Sequence, residues 1–161
     1  MILHERSLSQ DGGTMIQLDT AWLQHVQKPA RYTGGEWNSI VKDHKDVDIT
    51  MALAFPDVYE VAMSHLGIKI LYGLVNERED AVAERVFAPW HDMEAEMRNR
   101  NIPLFSLETK TPIRDFDILG FTLQYEMSFT NILNMMDLAG MPMYAKDRDM
   151  SFPLILAGGP C

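Results

Sequence analysis

Apolar and polar residues follow two alternating periods along most of this chain. Short, nearly continuous apolar runs at 49–55, 83–88, 104–107, 117–123 and 154–157 are typical of strands buried on both faces of a parallel sheet. Apolar residues at steps of three and four predict helices at 58–76 and 129–138, and an acidic start marks an exposed helix at 91–98. This alternation predicts a three-layer α/β fold with a mostly parallel sheet and flanking helices.

The segment 115–140 joins the predicted central strand to the helix that follows it. The polar turn Gln124–Ser128 lies between the two elements, and Gly140 is predicted to end the helix. Open parallel sheets bind ligands in the crevice outside the carboxyl ends of their strands. We therefore expect this turn to form part of the wall of any cofactor site.

The pattern divides the chain into three parts. Residues 1–14 carry no periodic signal and are predicted to form a loose leader. Residues 15–47 contain a short helix, ended by Pro29, and a loop. Residues 48–161 form the α/β domain, in which 141–144 is predicted to be an edge strand. Because the chain stops directly after a strand and a glycine turn, we interpret it as a fragment of a longer protein.

The loop at 28–38 reads KPARYTGGEWN and has two interpretations. In the first it is a packed surface loop whose Tyr32 and Trp37 cover a sheet edge. In the second, Arg31 and the glycine backbone contact an anionic ligand or a neighbouring domain. Composition does not choose between them.

The helix predicted at 58–76 is amphipathic and carries one histidine near its first turns. His65 is either a structural residue that packs beside the sheet or a site residue at the carboxyl rim. The side chains predicted to face inward are Val61, Leu66, Ile70, Leu71, Leu74 and Val75.

Composition excludes several classes of protein. The chain has 161 residues, 47% of them hydrophobic, and its net charge of -9 argues against direct contact with nucleic acid. No apolar run is long enough to cross a bilayer, and the start lacks the order of a secretory signal, so a cytoplasmic location without membrane contact is predicted. The single cysteine, Cys161, excludes an internal disulfide.

Most familiar catalytic and binding motifs are missing from the sequence. It contains no GxGxxG, no GxxxxGK[ST], no GxSxG, and no HExxH or HxxxH spacing, so no metal site is predicted. The strongest local pattern is Gly158-Gly159-Pro160 after the last apolar run. These glycines either let the backbone approach a flat or phosphorylated ligand, or form an ordinary tight turn.

Five blocks of sequence carry a family resemblance. In order they are KPARYTGGEWN, ALAFPDVYEVAMSHLGIKILYGLVNER, ERVFAPWHDMEAEMR, PLFSLETKTPIRDFDILGFTLQYEMSFTNILNMMDLAG and PLILAGGPC. Together they resemble the amino-terminal region of an uncharacterised subfamily of B12-binding-domain radical SAM proteins, over residues 20–161. The resemblance implies a Rossmann-like, cobalamin-binding-type domain truncated before a radical SAM barrel, where a CxxxCxxC motif holds the [4Fe–4S] cluster that cleaves S-adenosylmethionine. This chain lacks that motif and is not expected to be catalytic alone.

The resemblance also implies a set of cofactor-binding residues. Many cobalamin-binding domains carry DxHxxG, but Met63 precedes His65 by two and Ile68 follows it by three, so a histidine ligand to cobalt is not supported. The domain either binds cobalamin without such a ligand or keeps only the fold. By position, the residues that match the family's ligand-facing loop and paired glycines, together with the rim histidine, are Thr122, Gln124, Tyr125, Ser128, Gly158, Gly159 and His65.

The sequence thus predicts a domain that positions a corrinoid or covers the barrel of a radical SAM enzyme. Its partners would be that barrel, in the same polypeptide, and an unknown substrate. The main alternative is a non-catalytic docking or regulatory module that has lost cobalamin binding. A third hypothesis is a flavodoxin-like binder of a phosphorylated ligand at Gln124–Ser128, against which the charge of Glu126 argues.

Overall fold

Four parallel strands form the sheet of the computed structural model, which describes residues 15–19 and 23–161. The strand order is β2-β1-β3-β4, and each neighbouring pair is in parallel register. The three-layer, Rossmann-like α/β fold predicted from the sequence is therefore confirmed. The strands are β1 (Ile49–Phe55), β2 (Ala81–Phe87), β3 (Ile118–Thr122) and β4 (Leu154–Gly158).

Helices cover both faces of this sheet. One face of β1 and β2 packs against the two helices that connect β1 to β2. The opposite face of the sheet packs against the helices that follow β2 and β3. The helix bounds are α1 (Ala30–Thr33), α2 (Tyr59–Ser64), α3 (Leu66–Asn76), α4 (His91–Arg100) and α5 (Ser128–Leu138), and short 3-10 turns lie at His44–Asp46, Ile113–Asp115 and Ala145–Asp147.

The predicted helix at 58–76 is in fact two helices that meet at His65. The backbone of His65 is extended, with φ −82° and ψ 118°, and its amide donates to Ala62 O, which closes α2. Helix α3 turns Ile68, Tyr72 and Asn76 toward the sheet. The predicted inward face was therefore wrong for most of its members, since five apolar side chains are exposed: Val61, Leu66, Ile70, Leu71 and Leu74.

Two predicted strands are absent from the described part of the chain. Residues 104–107 make one isolated antiparallel bridge, between Phe105 and Pro112. They also contact the outer edge of β2, where the Leu107 amide donates to Arg85 O at 2.7 Å. Residues 141–144 form a bend instead of an edge strand.

The predictions for the amino-terminal part of the chain have different outcomes. Residues 15–19 have no regular structure and 24–27 form turns, so the helix predicted at 15–27 is not continuous there. The leader 1–14 and residues 20–22, which include Trp22, lie outside the described residues. Trp37 does not cover a sheet edge, because it is 99% exposed.

Residues 28–47 form an N-terminal strap that is held to the domain by polar contacts. Arg31 Nε lies 2.9 Å from Glu60 Oε2, which favours the packed-loop interpretation of this segment over an anion contact. Lys42 Nζ donates to Asn76 O (3.0 Å) and Ala81 O (2.7 Å), and the Ile40 amide donates to the Tyr72 hydroxyl, 2.7 Å.

The anchor of the strap is a pair of charged residues in the middle of β2. Glu84 and Arg85 are almost fully buried, although they follow each other in a strand. Arg85 Nε donates to Glu108 Oε1 (2.6 Å), and its Nη2 reaches Glu36 of the strap at 3.2 Å. Burial disfavours the guanidinium charge, but the neighbouring carboxylates outweigh this and raise the pKa of Arg85.

Glu84 makes a second contact to the strap. Its Oε1 lies 2.6 Å from His44 Nε2, and its Oε2 accepts from the Thr109 hydroxyl at 2.7 Å. Burial alone raises the pKa of a carboxyl group, but these hydrogen bonds to the ionised form outweigh it and lower the pKa of Glu84. Glu84 is therefore expected to stabilise the fold as a carboxylate.

This shift predicts a pH-dependent stability difference between the wild type and Glu84→Gln. Because the folded pKa of Glu84 is below the ordinary 4.5, its contribution is complete above that pH and is lost as the pH falls through the folded value. We expect the difference in urea midpoint to be largest at pH 7 and to shrink below about pH 4.5. The control Glu77→Gln, on the exposed end of α3, should give only a small difference in urea midpoint at pH 7.

Candidate functional site

The candidate site lies at the carboxyl rim of the sheet, where the loops after β1, β3 and β4 meet. In the strand order, β2 lies on one side of β1, and β3 and β4 lie on the other side. The strand order therefore reverses between β1 and β3, which is where open α/β sheets bind ligands. The sequence predicted that these loops lie at one edge of the sheet. In the structure the loop after β3 contacts both the loop after β1 and the loop after β4.

Three side-chain contacts join the segment between β1 and α3 to the segment formed by the β3–α5 turn and α5. The Tyr125 hydroxyl donates to Asp57 Oδ2 at 2.6 Å, and this hydrogen bond to a carboxylate raises the pKa of Tyr125. Asn131 Nδ2, on α5, donates to Pro56 O at 2.9 Å. Gln124 Oε1 lies 3.1 Å from His65 Nε2. These contacts fix the position of the β3–α5 turn over the end of β1.

Two buried polar atoms at this rim have no hydrogen-bond partner within the described residues. They are Thr122 Oγ1, at the end of β3, and His65 Nδ1. Thr122 is only 9% exposed, so its hydroxyl does not recover a partner from bulk water. A buried polar group without a partner costs free energy, and such groups need an explanation such as a bound ligand or water.

The two glycines after β4 have different surroundings. A Cβ added to Gly159 would lie 2.0 Å from Leu123 O, so the absence of a side chain there allows close packing against the end of β3. A Cβ added to Gly158 would meet nothing within 4 Å. Gly158 pairs with Thr122 in the sheet and is exposed. Gly158 is thus the glycine whose backbone borders open space.

The start of α5 is already occupied by the turn that precedes it. The Ser128 amide and hydroxyl both donate to Tyr125 O, at 3.1 and 2.6 Å, and the Phe129 amide donates to Glu126 O at 3.2 Å. Those amides would otherwise be available to a phosphate group. This arrangement disfavours the phosphorylated-ligand hypothesis and gives Ser128 a structural contact.

The rim offers a corrinoid no histidine ligand to cobalt. The features of the rim that bear on a bound cofactor are the unpartnered Thr122 hydroxyl and the open space at Gly158. His65 does not suit cobalt ligation, because Nε2 faces Gln124 and Nδ1 is buried. Within residues 15–19 and 23–161, no group of three or more His, Cys, Asp or Glu side chains is arranged to hold a metal ion.

A pocket elsewhere on the domain is too small for a cofactor. It lies beyond the carboxyl end of β2, between Tyr32, Tyr59, Phe87 and Met93, with a volume of about 20 Å³. That is room for about one water molecule.

No helix among the described residues has the length and apolarity that a bilayer span requires.

Sequence reasoning missed the residues that hold the rim together. Asp57 and Asn131 were not singled out, because an Asp after Pro56 reads as a strand breaker and an Asn in a helix as a solvated residue. The adjacent charges of Glu84 and Arg85 inside an apolar strand were a visible signal that was not used.

Comparison with known proteins identifies the family. The model of the family described as "Radical SAM proteins, N-terminal" matches residues 67–161, more than half of the chain, and includes β2, β3, β4 and the rim turn. No curated protein and no solved structure matches the chain. The chain therefore belongs to the family of N-terminal regions of radical SAM proteins.

Proposed function

We propose that this domain presents a corrinoid, bound without a protein ligand to cobalt, to the radical SAM barrel of the same polypeptide. The observation that carries the proposal is the buried Thr122 hydroxyl without a partner, beside the open backbone of Gly158. Both lie at the strand-order reversal, where a sheet of this class binds its ligand. Membership of the radical SAM family supplies the neighbouring catalytic domain, with its iron–sulfur cluster and S-adenosylmethionine.

The role of this chain would be to position the cofactor, since cofactors of this kind carry the demanding chemistry. Thr122 would hydrogen-bond an amide or a tail of the corrinoid, and the exposed Tyr125 would form part of the wall, held by Asp57. Gln124 would keep His65 turned away from the cobalt. The reaction class implied is methyl transfer or another radical modification of a substrate that stays unidentified.

The substitution Thr122→Val separates a ligand-binding role from a structural one. Valine has nearly the same shape but no hydroxyl, so removing a buried hydroxyl without a partner should leave the fold as stable or stabilise it, by about 0–2 kcal/mol. Retention of hydroxocobalamin should fall by roughly tenfold, as expected for the loss of one hydrogen bond. The measurements are urea denaturation and the visible spectrum after desalting.

Two controls make the test decisive. Thr130→Val changes an exposed threonine on α5, whose hydroxyl contacts only Met127 O, and should change neither quantity. Gly158→Leu, whose added Cβ would meet no atom within 4 Å, should reduce corrinoid retention without loss of stability. A colourless wild type, or equal retention by wild type and Thr122→Val, would refute the corrinoid proposal.

The second candidate is a docking or regulatory module without a corrinoid. A specific observation favours it: several apolar side chains of β4 and α3 are exposed, namely Leu154, Leu156, Leu66, Ile70, Leu71 and Leu74. Large contiguous apolar patches on a protein surface mark interaction sites. A wild type that does not bind hydroxocobalamin but associates with the radical SAM domain would support this function.

A further inference from the structure

The outer edge of β2 is closed by side chains and by one loop amide. Asn76 takes the place of a neighbouring strand, because its Nδ2 donates to Ala83 O at 3.0 Å and its Oδ1 accepts from the Ala83 amide at 3.1 Å. Other outward backbone groups also have partners, each at 2.7 Å: Ala81 O with Lys42 Nζ, the Arg85 amide with Glu108 Oε2, and Arg85 O with the Leu107 amide. Such contacts prevent an edge strand from pairing with another chain.

The outer edge of β4 has no comparable contacts among the described residues. The Leu154 amide donates to Asp117 O at 2.8 Å, and Gly158 O accepts from the Leu123 amide at 2.7 Å. Residues 154, 156 and 158 therefore turn their backbone groups toward β3, and the amides and carbonyls of Ile155 and Ala157 point to the outer edge. No hydrogen bond from a described residue reaches those four groups.

The sequence of β4 does not protect this edge either. Natural edge strands are usually protected by charged side chains, by proline within the strand or by a bulge. Residues 150–161 contain no charged side chain, and both of their prolines lie outside β4. Leu154 is 61% exposed and Leu156 is 46% exposed. The edge is therefore suited to pairing with another uncharged, apolar strand.

We propose that β4 pairs antiparallel with β4 of a second copy of this chain, around a two-fold axis at Leu156. In this register Ile155 of one copy and Ala157 of the other exchange both of their backbone hydrogen bonds, so that all four free groups of each strand are used. The two Leu156 side chains face each other in the closer, non-hydrogen-bonded type of pair. The two sheets then form one sheet of eight strands, with a capped β2 at each end.

The second copy is favoured because the free edge is complementary to itself. A two-fold axis requires the same residues on both sides of the interface, and the outward groups of Ile155 and Ala157 meet this condition without a shift in register. The net charge of -9 opposes association, but it is carried outside residues 150–161. Charges more than about 8 Å apart are largely screened at physiological ionic strength. We therefore expect a weak dimer that becomes stronger as salt is added.

Sedimentation velocity of the chain over a range of concentrations tests the pairing. The wild type should pass from monomer to dimer as its concentration rises. Ala157→Pro removes an amide that points away from β3, and proline is tolerated at such a position on an edge strand. This variant should keep the urea midpoint of the wild type but dimerise about tenfold or more weakly, because each copy loses one hydrogen bond to the other.

Disulfide formation tests the register with a matched control. In a Cys161→Ser background, Leu156→Cys places two thiols opposite each other, with Cα atoms about 4.5 Å apart, which is within the range of a disulfide. Leu154→Cys lies on the same face and is more exposed, but its two copies would be about 14 Å apart. Under mild oxidation we expect Leu156→Cys to form covalent dimers at least tenfold faster.

Three results would overturn the proposal. They are a wild type that stays monomeric at every concentration and salt, a dimer that Ala157→Pro does not weaken, and covalent dimers that form equally fast in both cysteine variants. The proposal goes beyond the proposed function and does not depend on it. No corrinoid is present in these experiments, so their failure would leave the test of hydroxocobalamin retention unaffected.

Discussion

Replacing Arg85 by methionine is expected to lower the free energy of unfolding by about 3–5 kcal/mol, which is a large part of the stability of a domain of this size. Methionine keeps the length of the side chain and fits an apolar environment. The loss comes from Glu108, whose side chain is fully buried and would then lose the cation that is paired with it. The strap would also lose the contact between Glu36 and Arg85. Urea denaturation followed by circular dichroism measures the effect.

Two comparisons show whether burial is the cause. Arg78→Met removes an exposed ion pair with Asp80, and the urea midpoint should hardly change, because surface pairs contribute little. The double variant Arg85→Met, Glu108→Leu removes both charges and should recover more than half of the loss, since an apolar pair can replace a buried ion pair. A double variant that is no more stable than Arg85→Met would contradict this explanation.

The buried pair in β2 also explains how the strap stays in place without an apolar core of its own. No residue from 28 to 47 is buried, although the partly buried Tyr32 packs against the core of the domain. Charged hydrogen bonds in a partly dry environment are stronger and more directional than surface contacts. Glu84 and Arg85 therefore specify where the strap lies, through His44 and Glu36.

The order of strands and helices could be predicted because each element carries its own local period. The first strand was predicted with its observed bounds, 49–55, and the central strand 117–123 differs from β3 by one residue at each end. The helix after it and the turn between them follow from a change of period within a few residues. These signals do not depend on distant parts of the chain.

The direction that a helix faces could not be predicted for α2 and α3. Their sequence is apolar on more than one side, so periodicity alone does not distinguish the side on the sheet from the exposed side. The break at His65 adds to this, because it changes the phase of the two helices. Burial against β1 and β2 selects Ile68 and Tyr72, and that is a tertiary effect.

The sequence indicated that the loops after β1, β3 and β4 meet, but not how they contact one another. Paired glycines and a polar turn after buried strands indicated the rim, and parallel pairing brings them together. The partners Asp57 and Asn131 depend on how two loops meet, which no local pattern encodes. Likewise, the sequence gives Gly158 and Gly159 equal weight, although only one of them lies against another backbone segment.

The different surroundings of Gly158 and Gly159 predict the second large effect, which is a local loss of stability at β4. Gly159→Ala should weaken the attachment of β4, because the added Cβ would lie 2.0 Å from Leu123 O and 2.8 Å from Leu123 N, atoms that belong to the backbone and cannot rotate away. Overpacking of this kind costs about 1–3 kcal/mol. Hydrogen exchange should locate the loss at the Leu123 amide, which donates to Gly158 O at 2.7 Å, and its exchange should accelerate at least tenfold. Gly158→Ala, which meets no atom within 4 Å, should leave that exchange rate unchanged. Equal exchange rates in the two variants would mean that β4 does not pack against the end of β3 as the structure shows, and the rim would then lack its third loop.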